Sequence, residues 1–372
     1  MKMQAHSSVV NETGLLVAEL DRQALAERLQ AAKTAFATRR VDLREVRELI
    51  REGAPRTGDL ILATINEIGH HSRLELTSGR RAQLYPGDEV IVAYGARYAP
   101  DQFEAVVPND LSACDLAAAG GIAARVVARH AHAKKATTLT PVGMLAGEDG
   151  APLNLSRYAL PAPAIVGPAR NVICVVGTAM NAGKTTLAAS LIHGLSKGGV
   201  RVGACKVTGT GAGCDMWAVK DAGAVVALDF TDMGYATTAG LPPATVDKIA
   251  HSLVTQVEAQ DVDMVVVEIA DGLLQRETAT LLSPPSTFSA RLDSVMLAAA
   301  DAMGAVAGAE WLRKRNLPLS VISGVVTSSP LAMREAEAAT GLSLAPTKMF
   351  TDPDHAARLC LARARTTASA AA

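Results

Sequence analysis

The sequence predicts an α/β protein: a domain on a mainly parallel sheet in the C-terminal half, preceded by a smaller β-rich domain with N-terminal helices. Three observations carry this. From Arg170 onward, apolar runs of strand length alternate with helical periodicities, the pattern of a parallel sheet covered on both faces. Between about 55 and 160, short apolar runs are separated by turn residues instead. Hydrophobic residues make up 49% of 372 positions, with only 3% aromatic, enough aliphatic material for two or three cored domains.

The elements follow in order. Residues 1–10 read as a loose end. From Leu15 to about Arg51, Leu16, Leu20, Leu25, Leu29, Val41, Val46, Leu49 and Ile50 recur at helical spacing among charges, predicting one or two amphipathic helices that stop at Gly53-Ala-Pro55. Asp59–Ile65, Arg73–Leu76, Glu89–Tyr94 and Phe103–Val107 read as strands, with a turn at Tyr85-Pro-Gly-Asp88. Asp110–Ala119 reads as a short helix, and Ala123–Arg129 and Thr138–Met144 as further strands. Prolines between 161 and 168 mark a linker. The expected organisation is a helical segment (1–54), a β-rich domain (55–160), a linker (161–169), the parallel-sheet domain (170–361) and a small polar tail (362–372). In the parallel-sheet domain, strands are expected at Asn171–Val176, Val200–Val207, Asp263–Ile269, Ser294–Ala299 and Leu319–Val326. Helices are expected from Lys184 to about Lys197 and at about Met303–Arg315 and Ala332–Thr340. Ligands of such sheets sit at the C-terminal ends of the strands.

The most informative stretch is there. A β-branched run ends at Gly177; Thr178, Ala179, Met180, Asn181 and Ala182 form a tight loop; Gly183-Lys184-Thr185-Thr186 opens an apolar helix. This is the layout of a phosphate-binding P-loop. Amides of the loop and helix N-terminus point at an anion, Gly183 permits close approach, Lys184 reaches the β- and γ-phosphates, and the Thr185 hydroxyl ligates Mg²⁺. In the usual pattern a glycine stands six positions before the lysine. Here that position is Thr178, and Gly177 lies one residue earlier.

Other candidates gather at the ends of later strands. Lys206 precedes Thr208-Gly209-Thr210-Gly211, read as a second anion- or substrate-binding loop or, more plainly, a surface loop. Asp215 is placed either in a metal shell, against substrate, or at a helix N-cap. Asp229 and Asp232 precede a Gly/Thr/Pro-rich loop and are candidates for substrate or water-mediated Mg²⁺ contact; acidic turn residues have a structural reading as well. Val265-Val-Val-Glu268-Ile-Ala-Asp271-Gly272 carries two carboxylates at a strand end. Glu268 is the favoured metal ligand with Asp271 beside it, because Mg²⁺ prefers hard oxygen ligands shared with phosphates. His130 and His132, if on a strand, put both rings on one face as a metal pair would. No cysteine completes a set, and surface histidines are the plainer reading.

Net charge is −1, which argues against nucleic-acid or membrane surfaces as partners. Cysteines 114, 174, 205, 214 and 360 show no CxxC spacing and suit a reducing cytoplasm. No apolar run reaches membrane-spanning length and no signal-peptide pattern opens the chain, so a soluble cytoplasmic protein is expected. Ala179 stands where one ATPase subclass carries a second lysine, and there is no Asn-Lys-x-Asp guanine-reading signature. The first absence argues against the subclass that donates a lysine across a dimer, and the second favours ATP over GTP.

These residues carry a resemblance. Gly177-x5-Gly183-Lys184-Thr185, Lys206 after the second strand and Val-Val-Glu268-x-x-Asp271-Gly272 resemble dethiobiotin synthetase. The run from Gly183-Lys-Thr-Thr-Leu-Ala to Gly-Gly-Val-Arg-Val-Gly203 is similar to the molybdopterin-guanine dinucleotide biosynthesis protein B group. The Thr-Gly-x-Gly loop and Asp229-Phe-Thr-Asp232 are closer still to two-domain P-loop proteins of that superfamily. The resemblance spans about 170–345. It implies an ATP- and Mg²⁺-dependent kinase- or ligase-like enzyme, with Lys184, Lys206 and Glu268 as the catalytic set, acting on a small molecule such as a carboxylate or carbamate. It also implies a possible homodimer. A nucleotide-dependent switch or cofactor-delivery protein acting on a protein partner is the alternative.

Overall fold

The computed structural model describes residues 22–163 and 170–358. A helix, α1, runs over 22–31. The β-rich part follows with β1 (Lys33–Thr34), β2 (Glu48–Ile50), β3 (Leu60–Ile65), β4 (Arg73–Glu75), β5 (Arg81–Gln83), β6 (Glu89–Tyr94), β7 (Arg97–Tyr98), β8 (Phe103–Val106), β9 (Cys114–Ala118), β10 (Ile122–Arg129) and β11 (Thr137–Ala146). Nine of these form one sheet, ordered β1-β6-β3-β11-β9-β10-β8-β7 with β2 on β11, while β4 and β5 form a separate hairpin. β6 also pairs with β10, so β6, β3, β11, β9 and β10 close into a small barrel. Ile61, Ala63, Ile65, Val90, Val92, Leu116 and Leu139 fill it. The alternate residues Leu60, Leu62, Ile91, Ala93 and Leu145 pack outside it with Leu29 of α1. Both strand faces are therefore covered, which is why Leu60-Ile-Leu-Ala-Thr-Ile65 is nearly continuous in apolar residues rather than alternating.

Two expectations fail in this region. The helical periodicity over 15–51 yields a single described helix, with 3₁₀ turns at Phe36–Thr38 and Leu43–Glu45 and the strand β2 after it. Leu49 and Ile50 satisfy their backbone on Leu145 and Met144 of β11, a sheet pairing that local spacing cannot reveal. The helix expected over Asp110–Ala119 is strand β9, held between β10 and β11; its small residues fit a crowded barrel wall, and tertiary pairing overrides helix propensity.

The second part is a six-stranded parallel sheet. Its strands are β12 (Asn171–Gly177), β13 (Val202–Lys206), β14 (Val226–Asp229), β15 (Met264–Glu268), β16 (Ser294–Ala298) and β17 (Leu319–Ser323), ordered β14-β13-β15-β12-β16-β17. The helices are α2 (Lys184–Lys197), α3 (Cys214–Asp221), α4 (Pro243–Glu258), α5 (Arg276–Leu281), α6 (Ala302–Arg313) and α7 (Pro330–Thr340). Val172, Cys174, Val176, Val265 and Val267 face a layer with α4 and α6; Ile173, Val175, Val266 and Met296 face α2. The sequence pattern did not reveal β14, α3, α4 and α5, and it carries the last strand on to Val326, where a 3₁₀ turn begins at Val325. Cys174 and Cys205 are buried and, with Cys114 and Cys214, unpaired. Residues 1–21, 164–169 and 359–372, with the expected loose end, most of the linker, Cys360 and the tail, lie outside the described residues. Among the described residues no helix is long and apolar enough to cross a membrane.

Candidate active site

β12 lies at the sheet's centre between β15 and β16, so the loop after it opens at the switch point where α/β sheets take ligands. The helix α2 begins at Lys184 with Gly183 in the left-handed region (φ 100°), and Asn181 also has positive φ (63°). The displaced glycine has a physical role. A Cβ on Gly177 would lie 2.8 Å from both Cγ and Cδ of Lys184, so the lysine stem packs directly on Gly177. Thr178 instead accepts a hydrogen bond at Oγ1 from the Ala300 amide, at 3.1 Å. Lys184 is 6% exposed and donates to the Ala179 carbonyl at 2.9 Å. Burial holds its pKa below the ordinary lysine value, only partly offset by Glu268 and Asp271.

Lys184, Thr185, Lys206, Asp215, Glu268 and Asp271 line one pocket of about 340 Å³ with Asn181 and Gly183. The Thr185 hydroxyl lies 3.1 Å from Asp215 and 3.3 Å from Glu268. The Lys206 ammonium is hydrogen-bonded to Asp215 and stands 3.5 Å from Glu268. Burial opposes charge on Lys206, but the two carboxylates outweigh it and raise its pKa above the ordinary value. For Asp215, burial pushes the carboxyl up while Lys206 and Thr185 pull it further down, leaving it below its usual range. Burial raises the Glu268 carboxyl, and Lys206 offsets this only in part. Asp271 is raised by burial against the pull of Lys184 and Lys206. Asp215 sits in the first turn of α3 rather than at its N-cap, which is Gly213.

Among the described residues, no three Asp, Glu, His or Cys side chains gather as a self-contained metal cage. The Thr185 hydroxyl between two carboxylates gathers hard oxygen donors, which could hold a divalent ion that completes its shell with water and phosphate. His130 follows the end of β10 and its Nδ1 accepts from the His132 amide, so the pair occupies a turn, not one face of a strand.

The remaining sequence candidates lie elsewhere. Thr208 is buried, its hydroxyl bonded to both the amide and the carbonyl of Ala270, and so fixes the strand end that carries Asp271. The loop after it pairs with the other Gly/Thr-rich loop: Thr238 N donates to Gly209 O, Gly211 N to Ala236 O, and Thr210 bridges Thr237. The same loop docks on the β-rich part, at the β4–β5 hairpin and at the turn between β9 and β10. Gly213 N donates to the buried Glu75 carboxylate at 2.8 Å, and a Cβ on Gly120 would sit 2.0 Å from Gly211 O. Asp229 and Asp232, read as candidates to touch substrate or metal, turn to the β-rich part as well. Arg39 reaches them at 3.3 and 2.6 Å, and neither lines the pocket.

Sequence reasoning missed a contribution from the β-rich part. Asp101, in the loop after β7, accepts from Asn181 Nδ2 of the P-loop at 2.7 Å. Nothing in its local sequence marks it. A larger hollow of about 650 Å³ lies between α1 and β2, lined by Arg22, Arg28, Arg47 and Arg51 among others, and holds none of the candidates.

Residues 172–271 match the family model of molybdopterin guanine dinucleotide synthesis protein B. No curated protein matches the chain. Among solved structures, the signal recognition particle 54 kDa protein of Aeropyrum pernix K1, in complex with GDP, is 20% identical with a TM-score of 0.35; the match covers 55% of this chain and 50% of that one. A ParA family ATPase of Chlorobium tepidum TLS is 12% identical with a TM-score of 0.32, covering 50% and 90%. The chain thus spans half the length of the first of these. With the strand–loop–helix geometry above, the matched segment is a nucleotide-binding P-loop NTPase domain.

Proposed function

We propose that this protein uses Mg·ATP to transfer the γ-phosphoryl group to a small molecule, activating a carboxylate or carbamate oxygen. One observation carries the reading: two lysines, three carboxylates and the Thr185 hydroxyl converge on one pocket at the P-loop. Phosphoryl transfer asks little of a protein beyond positioning and charge neutralisation. The bond from the γ-phosphorus to its bridging oxygen breaks, the bond to the acceptor oxygen forms, and ADP leaves. Lys184 and the loop amides meet the charge on the phosphoryl oxygens. Lys206 neutralises the acceptor. Thr185, with Asp215 or Glu268, would hold Mg²⁺, which when bound draws charge from the β- and γ-oxygens. The absence of a guanine-reading motif supports ATP over GTP.

The test is ADP release from Mg·ATP and from Mg·GTP, scanned against small carboxylates, amines and bicarbonate. Lys184→Ala should abolish turnover while circular dichroism shows the fold intact; normal turnover in that variant sinks the assignment. A second reading is a nucleotide-dependent switch, favoured by one contact: Asp101 of the β-rich part holds the P-loop residue Asn181. A slow rate indifferent to every small molecule, but raised by a protein partner, would favour it.

A further inference from the structure

Helix α3 carries Asp215 in its first turn but does not cap itself. Its N-cap is Gly213, which has no side chain to offer the first amides. The position whose glutamate would close a capping box is Met216. Asp215, the acid of that turn, spends Oδ1 on the Thr185 hydroxyl and Oδ2 on the Lys206 ammonium. A helix end left this way takes its partner from outside.

The β4–β5 hairpin supplies that partner. Glu75 is 2% exposed, and its Oε2 accepts from the Gly213 amide at 2.8 Å, across 138 positions of sequence. The hairpin register sets Arg81 directly opposite Glu75, and Arg81 donates to the Cys214 sulfur. One cross-strand pair thus holds Gly213 and Cys214, the residues immediately before Asp215. A carboxylate at this end of a helix is also favoured by the helix dipole. Glycine is what allows so close an approach. A Cβ on Gly213 would lie 2.7 Å from Cδ2 of Phe36 and 2.8 Å from Nε1 of Trp217, and one on Gly79, in the hairpin turn, 2.5 Å from the same Nε1.

We propose that Glu75 is a positioning residue for the phosphate site: by holding the N-terminus of α3 it fixes where Asp215 meets Thr185 and Lys206, so the β-rich part sets the Mg²⁺ affinity of the P-loop domain. The inference rests on the reading that this site takes a Mg·nucleotide. Glu75 touches neither ion nor nucleotide and acts through Asp215. Uncapped helix ends fray, whereas a functional group must stand within about 0.5 Å of its productive position.

The test is binding of fluorescent, non-hydrolysable ATP and GTP analogues to the full chain, titrated with Mg²⁺ and repeated in excess EDTA. In Glu75→Ala the Mg²⁺ concentration for half-maximal binding should rise about tenfold, the size of a lost cap, with affinity in EDTA unchanged. Glu75→Gln keeps an oxygen for the Gly213 amide and should recover most of the loss. Arg81→Ala removes the second hold from an exposed position and should raise the requirement about threefold. A purely structural contact would lower the unfolding midpoint and leave the Mg²⁺ requirement of the folded chain where it was. An unmoved requirement in Glu75→Ala, or an equal loss with and without Mg²⁺, overturns the proposal. Should Glu75→Ala not fold, an unmoved requirement in Arg81→Ala overturns it alone. Nucleotide binding that is absent or ignores Mg²⁺ already in the wild type removes the Mg·nucleotide reading, and this proposal with it.

Discussion

Replacing Lys206 with methionine tests the electrostatics of the site most directly. The substitution keeps the apolar stem and deletes the ammonium that neutralises Asp215 and Glu268. Their surroundings are dry: the side chains of Lys206, Glu268 and Asp215 are 14%, 6% and 26% exposed. At the 3.5 Å separation from Glu268 and an effective dielectric near 20, the attraction is about 5 kcal/mol before desolvation. Removing one partner of a buried pair typically costs about 3–5 kcal/mol. We expect a loss of about 3 kcal/mol in urea unfolding at pH 7. The sign of the pH dependence is fixed. Without Lys206 the Glu268 carboxyl stands further above its unfolded value of about 4, and Asp215 loses the strongest pull that holds it down. A raised carboxyl penalises the folded state only above its unfolded pKa, and each tenfold weakening of its acidity costs the fold about 1.4 kcal/mol. The loss should therefore be small at pH 4 and grow toward pH 7. Mg²⁺ with nucleotide should restore part of it, because the ion supplies the missing charge. A loss under about 1 kcal/mol at pH 7, or one that does not change from pH 4 to 7, would refute the assignment of Lys206 as the counter-ion of the site.

Two further predictions concern packing. Arg39→Ala removes the guanidinium that reaches Asp229 and Asp232, which are 1% and 4% exposed, and that lies 4.1 Å over the Phe36 ring; denaturant unfolding should show about 3–5 kcal/mol lost, with Arg39→Lys recovering less than half because it lacks the planar fork, and a loss below about 1 kcal/mol would contradict the clamp. Gly177→Ala drives a methyl against the buried Lys184 stem at 2.8 Å; nucleotide affinity should fall about tenfold or more with secondary structure unchanged, and wild-type affinity would show that the stem relocates freely.

The P-loop and the parallel sheet around it were legible because their determinants are local. A buried parallel strand needs an unbroken apolar run, as in Val172–Val176, and a phosphate loop needs glycine, lysine and threonine within one turn of a helix start. The bounds of β6 and the start of α2 follow from the sequence to the residue for the same reason. Glu268 and Asp271 announce themselves as carboxylates at the end of an apolar strand. The barrel was legible only as a set of strands. Its closure depends on β6 pairing with both β3 and β10, and β9 became a strand because its neighbours left an edge for it. Only the tertiary structure separated Asp215, which joins Lys206 and Thr185, from Asp229 and Asp232, which face Arg39. All three are aspartates near strand ends, and the difference lies in which element packs against each. It also brought Asp101 to Asn181 across eighty positions of sequence. Local chemistry thus specified the phosphate-binding half of the site. The other half is built from long-range contacts, which no spacing along the chain encodes.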